Sequence, residues 1–126
     1  MRRVMTGAEQ VLDRTRLQAL AEELDSRPLA LEFITQFLQL LPARLRRIDH
    51  TLTDNDQETA WDALLSLATS ASMAGADHLA LLCRNIGREV RAGNLDTARH
   101  ASHGLSAHTA AVAAEITKLL GQPVTG

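Results

Sequence analysis

Leu65-Ser66-Leu67-Ala68-Thr69-Ser70-Ala71-Ser72-Met73-Ala74-Gly75 is the stretch on which the reading of this chain turns. Laid out at about 100° per residue with the residues before it, it forms a helix in which Ala60, Leu64, Leu67, Ala71 and Ala74 fall within roughly 40° of one direction, the core. Leu65 points roughly 140° away from that direction, with Trp61 and Ala68 at its near edge and Asp62, Thr69 and Ser72 beside it. Periodicity alone therefore puts Leu65 on the surface, and Gly75 ends the helix.

Working outward, the apolar pattern changes near prolines and glycines and divides the chain into about five helical segments. The first runs from about Ala8 to Leu24, with Thr6 and Glu9 in capping-box spacing. The second, about Leu29 to Leu52, places Ile34, Leu38, Leu41, Leu45, Ile48 and Leu52 at alternating four- and three-residue steps, and Pro42 is expected to kink or split it. Thr53-Asp54-Asn55-Asp56 is a polar turn rich in N-cap residues before the third helix. The fourth, about Ala76 to Arg91, carries Leu79, Leu82, Ile86 and Val90 on one face and stops at Gly93. The fifth repeats the pattern through Leu95, Ala98, Ser102, Leu105, Thr109, Val112, Ile116 and Leu119, with Gly104 either costing stability or admitting a close neighbour. No strand pattern competes. Short loops between long amphipathic helices define an all-α fold, an antiparallel up-and-down four-helix bundle with an additional N-terminal helix. The 126 residues suit one domain with a core from about 9 to 120.

Composition removes several function classes. Aromatic residues make up only 2% of the chain, so Leu, Ala, Ile and Val must build the core, and the net charge of −2 supplies no footprint for nucleic acid. Cys83 is the single cysteine, which excludes an intrachain disulfide and suits a reducing cytoplasm. Met1-Arg2-Arg3 lacks the apolar segment of a signal peptide behind it, and no run is long enough to cross a bilayer, so the chain is expected to be cytoplasmic, without a membrane partner.

The frame around Leu65 resembles the signature of the histidine-containing phosphotransfer (HPt) family, His-x-Leu-Lys-Gly with a further Gly ten positions after the His, and it fits at Leu67 and Gly75. Leu29 to Ile48, with Phe33, Phe37 and Pro42-Ala43-Arg44-Leu45, is similar to the family's second helix, and Ala76-x-x-Leu79-x-x-Leu82-Cys83 to the segment after its glycine. The resemblance implies a phosphorelay or two-component setting, with the receiver domain of a response regulator or a histidine kinase as partner. It also implies that Leu65 stands in the place of the phosphorylated histidine, and that Ala68 and Thr69 replace the family's Lys and Gly. An aliphatic side chain has no nucleophile to carry a phosphoryl group. The expectation is a pseudo-phosphotransfer protein, not an enzyme, that binds its partner through Trp61, Asp62, Leu65, Ala68, Thr69 and Ser72. The alternative is a helical interaction or dimerisation module unconnected with phosphorelay, with the Trp61 and Leu65 patch pairing two copies.

Other candidate chemistry is weaker. None of His50, His78, His100, His103 and His108 is in the motif frame; His78 lies just past it beside Asp77, and His108 reads as a boundary residue. His100 and His103 share a face without a third ligand, so no metal or cofactor is expected. Cys83 lies beside the apolar face and reads as a small buried hydrophobe. Ser66, Ser70 and Ser72 read as packing or surface residues, there being no Gly-x-Ser-x-Gly elbow. Arg44, Arg46 and Arg47 read as the solvated outer face of the second helix, partly neutralised by Asp49.

Overall fold

A computed structural model describes residues 11–121. Among them are five helices: α1 (Arg14–Glu23), α2 (Arg27–Thr53), α3 (Gln57–Met73), α4 (Asp77–Arg91) and α5 (Leu95–Leu120). Helices α2 to α5 form a closed ring in which α2 packs on α3 and α5, and α4 packs on α3 and α5; α1 lies against α2 and α3. This is the all-α, up-and-down bundle with an N-terminal helix that the apolar periodicity requires.

All four connections are built alike. A residue with positive φ (Asp25, Asn55, Gly75 or Gly93) follows each helix C-cap. The next residue's amide then bonds back to the last turn: Ser26 to the Ala21 carbonyl, Asp56 to Thr51, Ala76 to Ala71 and Asn94 to Glu89. This is the Schellman ending, which satisfies carbonyls that the helix leaves unpaired. That same residue is the N-cap of the next helix, so each reversal needs only three residues and the helices are forced antiparallel. Ser26 and Asp56 also accept from the amides of Leu29 (3.2 Å) and Thr59 (3.2 Å).

The structure bears on three of the helix expectations. The expected first helix is interrupted: Val11 is helical, Leu12 and Asp13 are not, and α1 restarts at Arg14 with Asp13 as its N-cap, accepting from the Thr15 amide at 2.9 Å; Thr6 and Glu9 lie outside the described residues. Leu12 and Asp13 instead run across the α3–α4 turn, where Leu12 is buried and the Asp13 amide donates to the Gly75 carbonyl at 2.7 Å. Pro42 does not split α2, which is continuous, and its ring sits on the exposed side. Gly104 faces open space, so it admits no close neighbour and only its helix-propensity cost of about 1 kcal/mol remains.

Leu64, Leu67 and Leu79 are fully buried with Ile34, Ile48, Leu52, Val90, Val112 and Ile116 from the facing helices, each worth roughly 1.5–3 kcal/mol of transfer free energy. Alanines and Gly87 fill the space between α3 and α4. A Cβ at Gly87 would stand 3.8 Å from the Trp61 ring and 3.9 Å from Leu64 Cβ, so the small residues let these two helices lie close.

Candidate functional site

The α3 helix exposes one narrow strip between two shoulders. Glu58, Asp62, Ser66, Thr69 and Met73 are exposed along the strip; Trp61, Leu65 and Ser72 form a half-buried shoulder on one side, and Ser70 lies half-buried on the other. The core residues expected on this helix, Ala60, Leu64, Leu67, Ala71 and Ala74, are all buried.

Two expected contact residues need correction. Ala68 is only 1% exposed and cannot touch a partner. It lies roughly 80° from the core direction, which on an isolated helix is the margin, but close approach of α4 on that flank extends the buried arc across it. Leu65 is half-buried rather than exposed, with part of its side chain facing solvent. Asp62 and Thr69 are exposed, as their wheel positions require.

Each shoulder is fastened by arginines from a neighbouring helix. Arg44 donates to the Ser70 hydroxyl (3.0 Å) and the Ser66 carbonyl (3.3 Å), while Arg47 pairs with Asp62 at 3.4 Å. These α2 arginines are therefore not simply solvated, and Arg47 meets Asp62 of α3 where Asp49 was expected to offset the charge. Arg16 of α1 donates to the Ser72 hydroxyl at 3.0 Å and lies 3.8 Å from Asp77. The serines of α3 thus serve as acceptors for cross-helix arginines, a role their sequence context did not disclose. Trp61 is covered on one face by Arg91, whose guanidinium carbon is 4.5 Å from the ring centroid. Gln57 ties the start of α3 to the end of α4 through the Val90 carbonyl at 2.7 Å.

Sequence reading missed a second feature of this face. Arg84, Arg88 and Arg91 are all exposed on α4, and their four- and three-residue spacing was a legible signal of one stripe.

The remaining candidates carry little chemistry. Cys83 is fully buried, and burial pushes its thiol up to about 12, with Arg84 opposing weakly, so it is not a thiolate at neutral pH. Among the described residues no group of three His, Cys, Asp or Glu side chains could hold a metal ion. His100 and His103 lie edge to face at 6.0 Å. His78 and His108 pack edge to face at 4.7 Å across α4 and α5, and His108 Nε2 is buried without a hydrogen-bond partner. Burial, and then the adjacent His78, lower the His108 pKa below the ordinary imidazole value.

That shift has a definite sign. The unfolded chain takes up a proton at His108 near pH 6.5, whereas the folded chain does so only at lower pH. Its contribution to stability is therefore complete above that value and is lost as pH falls through the depressed folded pKa. The urea midpoint is expected to drop between pH 7.5 and 5, from about one unit above that value to about one and a half below it, and His108→Leu to flatten the drop. An equal drop in both proteins would show that His108 is not the group responsible.

A family model described as Hpt domain matches residues 32–121, most of α2 through α5. The chain belongs to the Hpt domain family, whose members take part in phosphorelays and interact with receiver domains and kinases. No curated protein and no solved structure matches the chain. No helix among the described residues is long and apolar enough to cross a membrane.

Proposed function

We propose that this chain is a single Hpt-type bundle acting in a cytoplasmic phosphorelay or two-component pathway, in which Leu65 takes the place of the phosphoryl-carrying histidine. It binds a receiver or histidine kinase domain without accepting phosphate at that position. The observation that carries this reading is Leu65 itself. It lies at the solvent edge of α3, ten residues before the turn glycine Gly75, and offers only carbon and hydrogen to an incoming phosphoryl group. Trp61, Asp62, Thr69 and Ser72 flank it as contact residues; Ala68, being buried, supports them from below. The family membership supports the choice of partner.

A homodimer through the same patch is less favoured, because Trp61 is half-covered by Arg91 of its own chain and does not present a bare aromatic face. The test is a binding screen of the full chain against purified receiver and kinase domains, with phosphate transfer followed in parallel. A receiver or kinase is expected to bind, Leu65→Arg to weaken that binding by roughly tenfold or more by planting a charge in the apolar centre, and acid-labile phosphate to remain absent. Efficient labelling that disappears in His78→Ala would overturn the noncatalytic reading.

A further inference from the structure

The groove between α3 and α4 is electrostatically one-sided. Trp61 and Leu65 are half-buried on the flank of α3 turned towards α4, and α4 carries the exposed Arg84, Arg88 and Arg91, of which Arg91 lies over Trp61. At about 100° per residue, Arg84 and Arg91 stand within roughly 60° of Ala80 and Gly87, the small residues on the flank of α4 turned towards α3, and Arg88 stands just outside them. Among the described residues, Arg16, Arg47, Arg99 and Lys118 each face a carboxylate, but none of the three α4 arginines does. Arg88 donates to the Asn85 side-chain oxygen at 3.0 Å, and Arg91 lies over Trp61. The groove opens at one end into a cavity of about 310 Å³ lined by Gln57, Glu58, Trp61 and Arg91.

We propose that this groove recognises an acidic protein face with an apolar residue at its centre, Arg84, Arg88 and Arg91 supplying the complementary charge and Trp61 and Leu65 the desolvated contact. This rests on the reading of the α3 surface as a docking site and adds the chemistry of what docks. Unneutralised arginines in a row on a protein whose net charge is −2 are a local field of opposite sign to the whole, which orients an acidic partner onto this side. The opposite wall carries Glu58 and Asp62, which repel an extended polyanion such as RNA or an anionic bilayer but tolerate a compact protein face that places its acids on one side only. Arginine and tryptophan are also the residues that most often dominate a protein interface.

The experiment titrates the isotopically labelled full chain with a Glu-rich peptide bearing one central Leu and, separately, with the receiver domains of the screen, and maps the amide shifts. Saturable shifts are expected at Trp61, Leu65, Arg84, Arg88 and Arg91, weakening as salt rises. The combined Arg84→Glu, Arg88→Glu, Arg91→Glu protein is expected to bind at least roughly tenfold more weakly, and Arg46→Glu on α2 as wild type. Arg84→Gln with Arg88→Gln leaves Arg91 on Trp61 and should give a smaller loss, with helical content unchanged by circular dichroism. Peptide binding indifferent to the reversed charges overturns the proposal. So does tighter binding of a single-stranded RNA or of phosphatidylserine vesicles that the same variants abolish. If the peptide behaves as expected and no receiver binds, the groove chemistry stands and the receiver reading falls. If a receiver is lost with Leu65→Arg but ignores the arginines, the docking site stands and the basic wall falls.

Discussion

Gly75→Ala is expected to lower the unfolding free energy by roughly 2–4 kcal/mol, read as a fall in the urea midpoint with little change in slope. Two independent costs meet at this residue. Its φ of +83° lies in the left-handed region, where a Cβ crowds the following carbonyl. A Cβ there would also stand only 2.5 Å from the Asp13 carbonyl oxygen. That oxygen cannot withdraw cheaply, because it accepts from the Arg16 amide while the Asp13 amide is bonded to the Gly75 carbonyl. Relief would require α1 to lift from the α3–α4 turn, taking Arg16 away from Ser72 and Asp77. Gly93 is the control. It has the same φ of +83°, yet a Cβ there meets nothing within 4 Å, so Gly93→Ala should cost only the backbone share, about 1–2 kcal/mol. Equal losses for the two variants would refute the close approach of Asp13.

Leu65→His is expected to convert a chain that takes no phosphate at this position into one that does. Leucine and histidine have comparable volume, and a half-buried site at the solvent edge lets one face of an imidazole pack while a ring nitrogen reaches water, so the bundle should tolerate the exchange. Imidazole supplies the nucleophile that the aliphatic side chain lacks. The label, transferred from a phosphorylated receiver, should be lost in acid and kept in base. Transfer should be slow, because buried Ala68 provides none of the positive charge of the family's lysine. If Leu65→His binds the phosphorylated receiver and stays unlabelled, Leu65 does not occupy the carrier position.

The fold was largely legible because its determinants are local. The three- and four-residue apolar steps of α2 to α5 mark both helix type and core face, and the buried residues Leu52, Leu64, Leu67, Val112 and Ile116 fall where those steps put them. The acid-rich turn before α3 announced its cap, which is Asp56. The start of α1 was less legible, because Asp13 caps it only where the preceding backbone is held against Gly75, sixty-odd residues away in the chain. Of the two effects expected at Pro42, a kink or a split, the split does not occur: α2 runs on through it with the ring on the exposed side.

The exposed face of α3 was legible in outline and wrong in depth. Periodicity measures how far a residue lies from the core direction of its own helix, and it placed Asp62 and Thr69 correctly on the outside. It cannot measure how near the next helix comes. Gly87 of α4 lies close to Trp61 and Leu64, Ala68 and Ala80 are buried, and Leu65 is half-buried. By itself, then, the amino-acid order determined the helices α2 to α5 among the described residues, their reversals and an aliphatic group at the edge of α3, since these follow from side-chain spacing and backbone freedom within a few residues. Only the tertiary structure decided that Arg44, Arg47 and Arg16 grip the exposed side of α3, that His108 is stranded beside His78, and that Arg91 of α4 lies over Trp61. Such pairings depend on the separation and rotation of whole helices, which emerge from packing the complete core.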